Sequence, residues 1–249
     1  MDDGRPSLLE RAIDRVPFLE KELFLLNRLV RVGDVCLDVG AAGGAHLLIM
    51  ARRVGDSGSV LGVEPRPASL RALRRLVNLT GVADRVRLTA VALADRVGAQ
   101  RLRVPVVPTR AHFRGSRQDF TEVAAFAGLP AREIEVRTTT LDELVAAEGL
   151  DRVDVLKCDV EGAELLVLAG ATDVLARLRP IVIMEADDEH QRRFDATAQD
   201  VLDAVTAHGY RVYRYRRGRL EPVDGVVAGE DDYVFVPQER DVRQLARAA

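Results

Sequence analysis

The sequence predicts an α/β fold with a mostly parallel sheet and helices on both faces. From Val35 onward, short β-branched runs alternate with segments of helical spacing, which is the pattern of repeated βα units. Near the C terminus, two further strand-like runs flank a polar loop that contains glycine, and this arrangement is typical of an antiparallel pair. The two observations together predict a Rossmann-like sheet that closes on an antiparallel strand.

The individual elements follow from the spacing of apolar residues. Residues 7–31 have helical spacing on both sides of Pro17, so two N-terminal helices are expected there. The predicted strands are Val35–Val39, Val60–Glu64, Val86–Leu93, Val153–Asp159 and Ile181–Ala186, followed by the closing pair Tyr210–Tyr215 and Tyr233–Val236. The predicted helices are 44–54, 67–79, 141–147, 163–177 and 197–208.

An insertion interrupts this regular alternation. Prolines and glycines break the pattern over residues 98–133, around a short helix expected at 119–127. Insertions in α/β folds commonly carry specificity, so this segment is predicted to lie on the substrate side. The predicted organisation is an N-terminal helical segment over 1–33, a catalytic domain over 34–238 and a tail over 239–249.

The composition restricts the class of partner. The 249 residues carry a formal net charge of −3, whereas nucleic-acid-binding domains are usually basic, so no nucleic-acid partner is expected. The sequence has neither a signal-peptide core nor an apolar run of about 18 residues, so we expect no membrane association and a cytoplasmic location. Cys36 and Cys158 lack metal-ligand spacing and are predicted to be buried free thiols. A homodimer is left open.

A turn of small residues follows the first predicted strand. Asp38 ends that strand region, and Gly40, Ala41 and Gly43 lead into a helix. A ligand can approach such a backbone closely. The spacing is not G-x-G-x-x-G, which weakens a pyrophosphate-binding interpretation. The turn therefore predicts a nucleotide site that need not hold a dinucleotide.

An acidic residue ends the second predicted strand. Glu64, followed by Pro65, is placed where a carboxylate can accept both ribose hydroxyls of an adenosine. The alternative is an ordinary acid at the surface end of a strand.

A run of acidic residues follows the strand that contains Lys157. Asp159, Glu161 and Glu164 lie within six positions, at a strand end where ligands collect in open α/β sheets. Alternation places Lys157 and Asp159 on one face, and crowding of the carboxylates can shift their pKa values. A plainer interpretation is an ion pair of Lys157 together with acids that stabilise a helix N-terminus.

The next strand ends at the same edge of the sheet and adds an imidazole. The candidate bases for catalysis are Asp159, which we favour, and Glu161, Glu185 and His190. His112 in the insertion is a weaker candidate. A magnesium ion held by Asp159, Glu185 and either Asp187 or Asp188 is an alternative that we do not expect, although such oxygen ligands suit it.

These motifs resemble those of the FkbM-type methyltransferases, a branch of the S-adenosylmethionine-dependent enzymes. The resemblance covers about residues 33–190, and its most specific part is the string Asp159-Val-Glu161-Gly162-Ala-Glu164. It implies a seven-stranded sheet and O-methylation of a hydroxyl on a small-molecule acceptor, such as a sugar or polyketide-like metabolite. It also implies S-adenosylmethionine contacts in three groups: Asp38, Gly40, Ala41 and Gly43 at the methionine part; Glu64 at the ribose; Ala92 and Leu93 at the adenine. Pro65 and Asp159 are further cofactor-binding candidates.

Two other functions remain as alternatives at this point. An NAD-dependent oxidoreductase would also use Glu64, but it would favour G-x-G-x-x-G and gives no reason for the acidic string. A non-catalytic module that binds S-adenosylmethionine would share the cofactor residues, because these residues alone do not establish turnover.

Overall fold

A continuous eight-stranded sheet lies at the centre of the protein, whose computed structural model describes residues 21–105 and 131–242. A second sheet of three strands lies beside it. The strands are β1 Val35–Val39, β2 Ser59–Val63, β3 Val86–Thr89, β4 Ala92–Leu93, β5 Gly98–Pro105, β6 Ala131–Thr139, β7 Val155–Cys158, β8 Ile181–Glu185, β9 Tyr210–Arg216, β10 Arg219–Pro222 and β11 Asp232–Pro237.

Helices cover the large sheet on both sides. They are α1 Lys21–Leu29, α2 Ala45–Arg53, α3 Pro67–Leu79, α4 Leu141–Ala147, α5 Glu164–Ala169, α6 Asp188–Gln191 and α7 Ala198–Thr206, with a π-helical turn at Val174–Leu178 and a 3₁₀ turn at Arg192–Phe194. None of the helices in the described part of the chain is long and apolar enough to cross a bilayer.

The strand order of the large sheet is β10-β9-β11-β8-β7-β1-β2-β3. β11 is antiparallel to both of its neighbours, β8 and β9, whereas β1 is parallel to β2 and β7. This confirms the mostly parallel sheet and its antiparallel last strand. β10 is an edge strand beyond the predicted seven, formed because Arg217 and Gly218 both have positive φ and reverse the chain in a two-residue hairpin.

The insertion begins and ends as two paired strands. β5 and β6 are antiparallel, with Gly98 opposite Thr138 and Pro105 opposite Ala131. β4 pairs with β6 in parallel. The prediction of a single strand over Val86–Leu93 is therefore wrong in one respect, because the last two residues form β4 and belong to the second sheet. The helix expected at 119–127 and His112 lie outside the described residues.

Two helix predictions differ from the structure in extent. Of the two predicted N-terminal helices, α1 is present and the one before Pro17 lies outside the described residues. The helix predicted over 163–177 is interrupted at Gly170 and Ala171, and its second part ends in the π-helical turn Val174–Leu178. Gly170 packs closely, since a Cβ atom there would lie 2.4 Å from the Ala94 carbonyl oxygen.

Each face of the large sheet packs against its own apolar layer. Neighbouring residues of β1 point to opposite layers: Leu37 packs on the side of α4, α5 and α7, and Cys36 on the side of α1, α2 and α3. Burial on both faces is the reason that the parallel strands read as continuous apolar runs. Cys36 and Cys158 are buried free thiols, as predicted. The polar residues that follow the central parallel strands lie at one edge of the sheet, where the carboxyl ends of these strands meet.

Candidate active site

The carboxyl ends of β1 and β7 touch through their backbones. The N–H of Asp159 donates to the carbonyl of Val39 at 3.0 Å. Gly40 has φ +82°, and a Cβ atom there would lie 1.9 Å from the carbonyl oxygen of Asp159. No residue with a side chain fits at this position, so Gly40 is required by packing as well as by conformation.

The small-residue turn after β1 is held at both ends and open in the middle. The N–H groups of Gly40 and Ala41 donate to the carbonyl of Val63 at 3.0 and 3.1 Å, and that of Gly44 donates to Ala41 at 2.7 Å. By contrast, no atom of residues 21–105 or 131–242 lies within 4 Å of the position that a Cβ of Gly43 would occupy. A ligand can therefore approach the backbone at Gly43.

Asp38 places a buried carboxylate directly before this turn. Neither of its oxygens has a hydrogen-bond partner at normal distance among the described residues. Burial raises the pKa of Asp38, against the opposing charges of His46 and Lys157 and a weak contribution from the N–H of Leu47. An unsatisfied buried carboxylate is costly, so a ligand that brings donors here would be stabilised.

Glu64 is buried and joins the turn to the end of β2. Its side chain is 1% exposed, which rules out the alternative of a surface acid. It accepts the N–H of Ala42 at 3.0 Å and three hydrogen bonds from Arg66, one from the backbone and two from the guanidinium. The sequence analysis did not identify Arg66. Pro65, between them, is partly exposed.

Lys157 and Asp159 form an ion pair at the end of β7. Their Nζ and Oδ2 atoms are 2.8 Å apart, which confirms the prediction that the two side chains share a face. Burial would lower the pKa of Lys157, but the charges of Asp159, Glu22 and Asp38 outweigh it and raise that pKa. Asp159 is still 33% exposed, so it faces the open side of the site.

Behind Lys157 lies a polar network that the sequence analysis also missed. Glu22 on α1 is 3.4 Å from His46 Nε2 and shares a hydrogen bond with Asp232 on β11. Burial would raise the pKa of Glu22, but the hydrogen bonds from Asp232 and His46 outweigh it and lower that pKa, whereas burial and the charge of Glu22 raise the pKa of Asp232. The network connects α1 to the sheet.

Glu161, His190 and Glu185 converge beside Asp159, and we call these three residues the imidazole cluster. His190 Nδ1 is 3.0 Å from Glu185 Oε2, and its Nε2 is 3.5 Å from Glu161 Oε2. Glu161 reaches this position because its φ is +58°. Gly162 then packs so closely that a Cβ would lie 2.6 Å from the carbonyl oxygen of His190.

The imidazole cluster holds protons tightly. Burial, reinforced by the charges of Asp159 and Glu185, raises the pKa of Glu161 to about 9. The hydrogen bond that His190 Nδ1 donates to the Glu185 carboxylate raises the pKa of His190, also to about 9, and burial raises the pKa of Glu185 itself. Perturbed pKa values of this kind are common at functional sites.

Glu164, the last acid of the string, has a different role. It is buried and accepts hydrogen bonds from Gln191 Nε2 at 2.6 Å and from the N–H of Val160 at 3.0 Å. Burial raises its pKa to about 7. Glu164 and Gln191 thus join the turn after β7 to α6, which keeps the imidazole cluster assembled.

The predicted magnesium ligands do not come together. Asp187 accepts the N–H groups of Glu189 and His190 at the start of α6, and Asp188 accepts the N–H of Ala198. Within the described part of the chain, the side chains with possible ligand atoms within 4.8 Å of one another are instead Glu161, Glu185 and His190. Two carboxylates and an imidazole suit transition metals better than magnesium.

The two residues predicted at the adenine lie in β4. Leu93 is buried in the core, while Ala92 is partly exposed and pairs with Thr138 of β6. Their contact with a cofactor stays a prediction.

Comparison with known proteins identifies the family. Residues 38–212 match the family model of the methyltransferase FkbM domain. The chain belongs to the FkbM methyltransferase family. The resemblance recognised in the sequence is thereby confirmed, and membership of a methyltransferase family favours a methyltransferase over the oxidoreductase alternative.

Similar proteins include two methyltransferases. The chain is 29% identical over 203 residues to the 31-O-demethyl-FK506 methyltransferase FkbM of Streptomyces tacrolimicus, covering 74% of this chain and 75% of that protein. It is 28% identical over 181 residues to the 2-O-methyltransferase NoeI of Sinorhizobium fredii, covering 66% and 68%.

A solved structure supports the FkbM fold. The FkbM methyltransferase of Methylobacillus flagellatus superimposes with a TM-score of 0.55 at 16% identity, and the match covers 91% of this chain and 50% of that one. The present chain therefore spans about half of that protein.

Proposed function

We propose that this FkbM-family protein transfers a methyl group from S-adenosylmethionine to a hydroxyl oxygen of a small molecule, such as a sugar or a polyketide-like metabolite. The observation that carries the proposal is the imidazole cluster beside the small-residue turn, because a hydroxyl must lose a proton when it is methylated. The names of the two similar methyltransferases, both of which specify an O-position, support the same chemistry. The insertion 98–133 is assigned the choice of acceptor.

The residues around the turn fit the cofactor. The open backbone at Gly43 and the unsatisfied carboxylate of Asp38 suit the methionine part, whose ammonium group supplies donors. Glu64 is placed for the ribose, and Ala92 with Leu93 for the adenine. When bound, S-adenosylmethionine supplies an electrophilic methyl group on a sulfonium.

The protein's own contribution is to position the acceptor and to take its proton. Correct positioning of reactants is worth about 7–11 kcal/mol, and a positioned base adds roughly 10²- to 10⁴-fold. Glu185 fixes His190 through Nδ1, so Nε2 and Glu161 form the proton-accepting side. Asp159, which the sequence favoured as the base, is held by Lys157, and we assign it the orientation of the acceptor and cofactor.

Methyl transfer itself provides the direct test. The protein is incubated with S-adenosylmethionine labelled in the methyl group and a panel of hydroxylated acceptors, and the product is analysed by NMR. A methyl signal on oxygen supports the proposal. Label on nitrogen or carbon overturns the O-methyl assignment, and tight binding of S-adenosylhomocysteine without transfer to any acceptor or to a metabolite extract favours the non-catalytic module.

We expect the substitution Glu64→Gln to weaken S-adenosylhomocysteine binding by roughly ten- to hundred-fold, because charge-assisted hydrogen bonds are worth about 1.5–3 kcal/mol. Isothermal calorimetry measures the affinity, and circular dichroism checks the fold. Glu148→Gln is the matched control, since Glu148 pairs with Arg87 at 2.9 Å on the surface. Equal affinity in the two variants would remove Glu64 from the ribose site.

We expect turnover to rise with pH while stability falls. The pKa of His190 is raised from its ordinary 6.5 to about 9, so the stability it contributes is fully present below 6.5 and is lost as the pH rises through about 9. Glu161, raised to about 9, acts in the same direction. A base must first lose its proton, so kcat rises over the same range. Turnover and urea unfolding are each measured from pH 6 to 10, on the order of one measurement per half unit, to test the two expectations. A turnover that does not change with pH would contradict the assigned base.

A further inference from the structure

The carboxylate of Glu64 is already saturated with hydrogen bonds. Oε1 accepts the backbone N–H and the Nε–H of Arg66, both at 2.8 Å. Oε2 accepts the N–H of Ala42 at 3.0 Å and Nη2 of Arg66 at 3.1 Å. A carboxylate offers about four lone-pair positions, and all of them are filled. The hydroxyl groups of a ribose therefore find no free acceptor on this residue.

Only two of the four hydrogen bonds can be released without unfolding the site. The donors Ala42 N and Arg66 N belong to the backbone, where Ala42 lies in the turn held by Val63 and Arg66 caps the start of α3. The other two donors belong to the guanidinium, which can leave by a change of side-chain rotamer. A ribose brings two hydroxyl donors, so the guanidinium and the 2′,3′-diol can exchange on Glu64 one for one.

We propose that the Arg66 side chain occupies the ribose subsite of Glu64 and is displaced by the vicinal diol of a nucleoside ligand. The proposal rests on the cofactor site of the proposed function. Displacement replaces a bidentate ion pair by hydrogen bonds from two neutral donors, which are weaker. Arg66 therefore lowers the affinity of the protein for every ligand that carries the diol. It acts on the cofactor and on its demethylated product alike, which favours release of the product after transfer.

The test compares two ligands against variants of Arg66. The ligands are S-adenosylhomocysteine and its 2′,3′-dideoxy analogue, each titrated by calorimetry into the wild-type protein and into Arg66→Ala and Arg66→Lys. We expect Arg66→Ala to bind S-adenosylhomocysteine about tenfold more tightly, with Arg66→Lys in between because a lysine keeps the charge but lacks the fork. Affinity for the dideoxy analogue stays unchanged, because that ligand has no diol to displace the guanidinium.

Stability measurements separate displacement from a structural role. Without ligand, Arg66→Ala melts at a lower temperature than the wild type, because Glu64 keeps its buried charge and loses its cation. The rise in melting temperature on adding S-adenosylhomocysteine is larger in the variant. If Arg66→Ala does not fold, Arg66→Lys carries the comparison. Arg85→Ala is the control, since Arg85 pairs with Asp56 and Asp84 elsewhere.

The outcomes distinguish this proposal from the one on which it rests. Weaker or unchanged binding of S-adenosylhomocysteine in both Arg66 variants, or an equal gain for the dideoxy analogue, overturns the displacement of Arg66 while the cofactor site stands. If the wild type itself does not bind S-adenosylhomocysteine, the proposed function fails, and the displacement of Arg66 fails with it.

Discussion

Replacing His190 by glutamine is expected to lower methyl-transfer turnover on the order of 10²- to 10⁴-fold, with S-adenosylhomocysteine affinity changed only a few-fold. The reason is geometric, because His190 is the residue that contacts both Glu185 and Glu161 and holds the proton-accepting side together. Glutamine keeps the size and polarity of the side chain but cannot accept a proton. Single-turnover kinetics at saturating cofactor measure the loss without a contribution from product release.

Several variants make the His190 result decisive. His208→Gln removes an imidazole beyond α7 and is expected to leave turnover unchanged. Glu161→Gln lowers turnover to a similar degree, and the double variant is little worse than either, because residues that act as a unit are not additive. Near-normal turnover in His190→Gln would transfer the role of base to Asp159. Activity that is lost with a chelator and restored by a divalent ion would instead indicate a metal on the cluster.

Gly40→Ala is expected to lower the free energy of unfolding by about 3 kcal/mol or more. Losses of this size are typical when an added atom overlaps its neighbours in a packed interior. The Cβ would lie 1.9 Å from the Asp159 carbonyl oxygen at a φ of +82°, so the ends of β1 and β7 must move apart. Cofactor affinity falls with the same change, because the turn is carried on β1. Urea unfolding and calorimetry with S-adenosylhomocysteine measure the two effects.

Gly81→Ala separates the backbone cost from the steric cost. Gly81 has φ +70°, but no atom lies within 4 Å of its added Cβ, so alanine there costs only about 1 kcal/mol for conformation. Should Gly40→Ala cost no more than Gly81→Ala, the close approach of Gly40 to Asp159 would carry no energetic weight.

The central sheet was predictable because its signal is local. β1 has the predicted bounds, Val35–Val39, since a parallel strand buried on both faces is a continuous apolar run. The division at β4 was not predictable, because its partner β6 lies about 45 residues further along the chain. β10 was missed because it lies in a polar stretch that contains Gly218 and was therefore predicted to be a loop. It pairs with β9 because the chain reverses at Arg217 and Gly218.

The candidate site was predictable as a set of residues and less so as a geometry. Alternation along β7 was enough to place Lys157 and Asp159 together. The contact of Glu161 with His190 depends on a positive φ at Glu161, which a non-glycine residue rarely adopts. The hydrogen bonds of the Arg66 guanidinium to Glu64 depend on the conformation of the Arg66 side chain. The spacing of residues in the sequence gives no information about that conformation.

Two close backbone contacts follow one another along the chain at the carboxyl ends of the central strands. The Gly40 turn touches Asp159, and Gly162, three residues later, touches His190. The stretch from Asp159 to Gly162 is therefore in close contact with its neighbours at both ends, with the turn after β1 through Gly40 and with α6 through His190. A substitution that shifts this stretch is expected to move Asp159 and the imidazole cluster together, so the two cannot be redesigned independently.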